Sequence, residues 1–141
     1  MQSEGGRARR PDLSLLPEVF RRYPDVQAVY LFGSAAAGTD RGESDLDLAV
    51  FPGTAELRKH RLQILADLAE GGFCRVDLVF PDEEDVVLRY EAVRLNLLVY
   101  EKPGFDRGST YSNTIRKYLD FLPYLAVQRA AYKKRIVGGQ G

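Results

Sequence analysis

Asp45, Asp47 and Asp77 are the side chains of this sequence best suited to chemistry, and Gly33-Ser34 is the turn best suited to hold a phosphate. Asp45-Leu46-Asp47 opens an apolar run that ends at Phe51. Strand geometry puts both carboxylates on one face, with Leu46 and Leu48 pointing to the core. Two carboxylates about 4 Å apart repel by roughly 4 kcal/mol at an effective dielectric near 20, so the pair calls for a cation or a shared proton. A divalent metal meets that need directly. Asp77 lies in another apolar run, FCRVDLVF from Phe73 to Phe80, on a strand able to lie beside the first. Oxygen ligands without His or Cys suit Mg²⁺ or Mn²⁺, which also accept water and phosphate oxygens.

Gly33-Ser34 closes the apolar run Val29 to Phe32 and is followed by Ala35-Ala36-Ala37, which favours a helix start. The N–H groups of such a start bind phosphate, the glycine admits a close backbone approach, and the serine hydroxyl adds a donor. Ser44, just before the acids, either caps the strand entry or touches a phosphate.

These residues need a scaffold, and the chain is long enough for one. Its 141 residues, 45% hydrophobic and 28% charged, fit one globular domain with a single core. Lys+Arg and Asp+Glu both number 20, so the broad positive field expected of a protein that binds long nucleic acids is missing. One cysteine excludes an intramolecular disulfide, and the single histidine argues against a zinc site or a Ser-His or Cys-His relay. Cytoplasmic localisation is the expectation. No apolar run approaches a membrane span, and the N-terminus lacks the apolar segment of a signal peptide.

Residues 1–11 read as a flexible leader, 12–136 as a single domain with a helical part over 105–136, and 137–141 as a flexible tail. A first helix carries Leu13, Leu16, Val19 and Phe20 at helical spacing and stops before Pro24. Strands are expected over Val29 to Phe32, Asp45 to Phe51, Phe73 to Phe80 and Leu97 to Tyr100. A helix from Ala55 to Glu70 buries Leu57, Ile64, Leu65 and Leu68 and ends at Gly71-Gly72, and another runs from Glu83 to Arg94. His60, flanked by Arg58, Lys59 and Arg61, reads as a solvated surface histidine, and Cys74 as a small core residue. In the C-terminal helical part, Ile115, Tyr118, Leu119 and Leu122 form a stripe, and Pro123 kinks or restarts the helix. Its aromatic residues, Tyr111, Tyr118, Phe121, Tyr124 and Tyr132, either pack on the protein's own sheet or leave a strip that docks a partner protein. Base stacking on nucleic acid is a third reading.

A Gly-Ser pair or an Asp-x-Asp alone is common on solvated loops. Here ten residues separate Ser34 from Asp45-Leu46-Asp47, and a later strand supplies Asp77. That set resembles the signature of the DNA polymerase β-like nucleotidyltransferase superfamily. Within it, FGSAAAG, SDLDLAVF, RVDLVF, LRYEAVRLNLLVYEK and KYLDFLPYL resemble, in that order, the MNT group of minimal nucleotidyltransferases, the antitoxins of HEPN–MNT pairs. The resemblance implies an α/β (α+β) fold with a mixed β-sheet of about four strands, flanking helices and a C-terminal helical segment. It also implies two Mg²⁺ ions and transfer of AMP from ATP to a tyrosine hydroxyl of a HEPN-domain toxin. By the same resemblance Asp45 and Asp47 bridge the two ions, and Asp77 binds the ion that activates the acceptor and can serve as its base; Gly33, Ser34 and, on its phosphate reading, Ser44 are the candidates to bind the nucleotide. Ala35 stands where many relatives carry arginine, so a phosphate contact from that side chain is absent.

Two other functions are compatible with these residues. One is a binding antitoxin that occludes the toxin without chemistry. The other is nucleotide transfer to a small molecule such as an aminoglycoside, which usually needs a larger second domain to hold the acceptor. No arginine precedes His60 at the spacing of the HEPN ribonuclease motif, so the chain itself does not read as the toxin.

Overall fold

The computed structural model describes residues 12–33 and 46–138. A 3-10 turn, Leu13–Leu15, runs into helix α1, Leu16–Phe20, and strand β1 follows as Ala28–Phe32. Then come β2, Leu46–Phe51, and two short helices, α2, Ala55–Arg58, and α3, Arg61–Glu70. The remaining elements are β3, Val76–Val79; α4, Val86–Val93; β4, Leu98–Glu101; and α5, Arg107–Gly138.

The sheet order is β3-β2-β1-β4, with β2–β3 parallel and the other two pairs antiparallel. This is the mixed four-stranded α/β arrangement expected. Alternation along the strands splits the core in two. Leu46, Leu48 and Val50 of β2 join Val29 and Leu31 of β1 in one cluster, covered by Leu16, Val19 and Phe20 of α1, Leu57 of α2, and Ile64 and Leu68 of α3. Tyr30 of β1 and Ala49 and Phe51 of β2 point the other way, against Ala92 and Val93 of α4 and Tyr111 of α5. The sheet is therefore covered by helices on both faces.

Side chains start the helices where the sequence offers a capping residue. Thr54 accepts the Leu57 N–H, Asp85 accepts the Leu88 N–H, and Asp106 accepts the Ser109 N–H, each bond satisfying a donor with no intrahelical partner. The Ser109 bond also holds the Asp106 carboxyl below its ordinary range.

Four expectations change. The helix expected from Ala55 to Glu70 divides at Lys59-His60, where the His60 N–H bonds to the Leu57 carbonyl three residues back and tightens the chain out of α geometry. Cys74 is exposed, because β3 begins only at Val76 and Phe73 takes the buried position before it. Pro123 does not restart the C-terminal helix: α5 is continuous across it. Pro123 is exposed, so the carbonyl four residues back that loses its N–H partner can turn to water. The stripe on α5 also divides, since Ile115 and Tyr118 are half-buried while Leu119 and Leu122 stay exposed.

Candidate active site

β1 and β2 run antiparallel with Phe32 opposite Asp47. β2 and β3 run parallel with Asp47 opposite Asp77. Paired residues in a parallel ladder project to the same face, and adjacent strands lie about 4.8 Å apart, so the two carboxylates rise side by side. They stand on the α4–α5 side of the sheet, in the same alternating row as Ala49 and Phe51, at the end where β2 and β3 begin. Asp47 is half-buried and Asp77 exposed, which leaves the pair open toward solvent.

Gly33 follows β1 at φ +78°, a conformation that disfavours other residues. A Cβ built on it would lie 2.0 Å from Asp47 Oδ2 and 2.9 Å from Asp47 Cγ. The Asp47 carboxylate thus occupies the space in which any other side chain at 33 would begin.

β3 has only four residues, and three arginines fix it. Arg61 donates to the Leu78 carbonyl and lies over the Phe80 ring at 5.1 Å. Arg58 donates to the Phe80 carbonyl at 3.3 Å and to Asp82 Oδ2 at 2.9 Å, and this contact holds the Asp82 carboxyl below its ordinary range. From the other face Arg89 donates to the Pro81 carbonyl at 3.1 Å and covers the Phe51 ring at 4.8 Å, and burial lowers its pKa. Guanidinium groups suit this task because one planar fork serves a carbonyl and an aromatic face together. None of the three was legible as a positioning residue, since Arg58 and Arg61 sit in a charged run that the break at Lys59-His60 divides between two helices, and Arg89 interrupts an apolar stretch.

Of the expected site residues, Gly33, Asp47 and Asp77 are brought together. Ser34, Ser44 and Asp45 lie outside the described residues. Among the described residues no group of three His, Cys, Asp or Glu side chains forms a metal site. The donor set of Asp47 and Asp77, all oxygen, nonetheless fits a hard divalent cation, and the close seating of Asp47 over Gly33 would give such an ion one carboxylate in a defined position. His60 is exposed, with its ring 5.8 Å from that of Tyr23, and takes no part in this cluster.

Similarity to known proteins agrees with this geometry. A chain of the crystal structure of a toxin–antitoxin with AMP-PNP is 25% identical, with TM-score 0.65 over 89% of this chain and 98% of that one. A chain of the MntA–HepT toxin–antitoxin structure is 23% identical, with TM-score 0.58 over 89% of this chain and 96% of that one. A third structure is the tri-AMPylated Shewanella oneidensis HEPN toxin in complex with MNT antitoxin, at 22% identity and TM-score 0.58 over 89% and 99% of the two chains. No curated protein gives a significant match. The family described as "Polymerase beta, Nucleotidyltransferase" matches residues 15–104, a span that contains β1 to β4 and both carboxylates, and the chain belongs to that family.

Proposed function

We propose that this chain is a Mg²⁺-dependent antitoxin that transfers AMP from ATP to a tyrosine hydroxyl of a partner HEPN-domain toxin and so neutralises it. The observation that carries the reading is the pairing of Asp47 with Asp77 beside Gly33, inside the nucleotidyltransferase region. Relatives solved as toxin–antitoxin complexes, one with AMP-PNP and one with an AMPylated toxin, support the choice of acceptor and nucleotide.

Asp45, Asp47 and Asp77 would hold the metal, and Gly33, Ser34 and Ser44 the triphosphate. When bound, Mg²⁺ would lower the pKa of the acceptor hydroxyl and offset the charge on the phosphate oxygens. The tyrosine oxygen forms a bond to the α-phosphorus as the bond from that phosphorus to the β-phosphate's bridging oxygen breaks. Pyrophosphate leaves, and the hydroxyl proton passes to Asp77, whose exposure lets it meet an acceptor presented by another protein.

A partner also fits the surface of α5. Beyond Phe121 this helix exposes Leu122, Tyr124, Val127 and Tyr132, an apolar series on a segment that extends past the end of α4. Co-expression with a HEPN toxin, followed by incubation with Mg²⁺ and ATP, should add AMP to the toxin by mass spectrometry. No mass change with any nucleotide overturns the transferase reading.

The same exposed side chains favour a second reading, in which binding alone silences the toxin. An Asp45→Asn variant separates the two. Full neutralisation without AMP transfer would establish occlusion as the function.

A further inference from the structure

We infer that Gly33 is a positioning residue for Asp47: the absence of a side chain at 33 creates the seat in which the Asp47 carboxylate is held at the head of the β2–β3 pair. Two observations meet here. The carboxylate oxygen lies 2.0 Å from where a Cβ would stand, with Asp47 Cγ at 2.9 Å and Asp47 Cβ at 3.1 Å, so more than the tip of the side chain is involved. Gly33 also adopts φ +78°, a backbone conformation in which an L side chain is strained, so a substitution there meets the collision and the backbone together.

The contact joins two sequence features that would otherwise act separately. A glycine before a phosphate-binding helix start serves the backbone, and an aspartate on a strand serves a metal. In this chain they share one volume. An alanine at 33 forces the Asp47 carboxylate to rotate away, because the β1–β2 ladder, with Phe32 opposite Asp47, prevents the two backbones from separating. Gly33 therefore governs metal affinity as well as the turn. That part of the inference rests on the nucleotidyltransferase reading; the contact itself does not.

The test is a double-mutant cycle on the full chain with G33A, D47A and G33A/D47A, read by thermal unfolding without metal and by Mn²⁺ binding in the presence of AMP-PNP. In the wild-type background G33A should lower Tm by at least about 8 °C, combining the collision with the left-handed backbone. In the D47A background it should lower Tm by only about 4 °C, the share of the backbone alone. Folded G33A, held well below its Tm, should bind Mn²⁺ roughly 10–100-fold more weakly than wild type, as when a group that orients a metal ligand is lost.

Equal Tm losses in the two backgrounds overturn the inference, as does unchanged Mn²⁺ affinity in G33A. If G33A does not fold, recovery of folding in G33A/D47A supports the inference. Failure of both shows that Gly33 serves only the turn and overturns it. A wild-type chain that binds no Mn²⁺ with AMP-PNP refutes the nucleotidyltransferase reading, while the thermal cycle still decides whether Gly33 seats Asp47.

Discussion

Asp47 of β2 and Asp77 of β3 are direct partners in a parallel ladder, two acids projecting from the same face of the sheet. Like charges on paired positions of a ladder repel, and a cation held between them would offset that repulsion. Asp77→Asn should therefore leave the metal-free protein at least as stable as wild type. The rise in Tm produced by Mg²⁺ with ATP analogue should vanish, and AMP transfer should fall by more than about 100-fold. A fall in metal-free stability would show that Asp77 is a structural acid. Thermal unfolding with and without Mg²⁺, beside a transfer assay, measures all three effects.

Tyr30 gives a prediction that does not involve the site. Its side chain is fully buried between β1 and the α4–α5 layer, and its hydroxyl has no hydrogen-bond partner among the described residues. Burial pushes its pKa up to about 12. Tyr30→Phe removes an unsatisfied polar atom without changing the ring, and should raise stability by about 1–2 kcal/mol in denaturant unfolding at pH 7.

The pH dependence of that variant follows from the direction of the shift. A tyrosine near 10 when unfolded and raised when folded binds its proton more tightly in the native state. Its contribution is complete below pH 10 and is lost as pH rises toward 12. Tyr30→Phe should therefore lose less stability than wild type across that interval. Some alkaline loss should persist, because burial and the Asp67 hydrogen bond raise the Tyr23 pKa as well. Identical alkaline slopes would exclude Tyr30 as a contributor.

Period and punctuation made much of the fold legible. The apolar runs at Val29, Leu46, Val76 and Leu98 became the four strands, with Asp47 on the second and Asp77 on the third. What stayed hidden was tertiary. Nothing local distinguishes Tyr30, buried beneath α4 and α5, from Tyr100, half-buried on β4, because which face receives the second helical layer depends on chain crossings. The exposure of Cys74 depends on where β3 starts pairing, and pairing is a property of two strands. In the candidate site the residue types announced the acids and the glycine. Their shared volume, and the arginines that fix β3, emerge only when separate elements meet.

The ring of Tyr118 on α5 stacks on Tyr90 of α4, with centroids 3.7 Å apart and planes 5° from parallel. Such pairs contribute about 0.5–1.5 kcal/mol beyond their buried area. Tyr118→Leu keeps an apolar side chain but removes the stack, so stability should fall by about that amount. Hydrogen exchange should accelerate first in α5, whose attachment to the domain includes α4 and the packing of Tyr111 on the second core cluster. Uniform acceleration across the sheet would show instead that α4 and α5 unfold with the core.

Val127 lies on α5 beyond Tyr118, and it is 64% exposed. Leu119 at 57% and Tyr132 at 61% share this openness, on a helix about 48 Å long at 1.5 Å per residue, of which only the first part is packed against α4. A side chain that contacts little in its own domain contributes little to its stability, so Val127→Glu should change unfolding free energy by no more than about 0.5 kcal/mol. At the centre of an interface the same charge would be desolvated against an apolar partner surface, a loss of about 2 kcal/mol or more and roughly thirtyfold in affinity. The expected result with a HEPN toxin is weaker complex formation and a raised KM for toxin as acceptor. The affinity of the chain for Mn²⁺ and AMP-PNP should stay unchanged, because Val127 is remote from Asp47 in the chain and on a different element. Unchanged toxin affinity would place the partner elsewhere and leave the exposed apolar side chains of α5 without a role in neutralisation. Reduced nucleotide affinity would instead tie α5 to the candidate site itself.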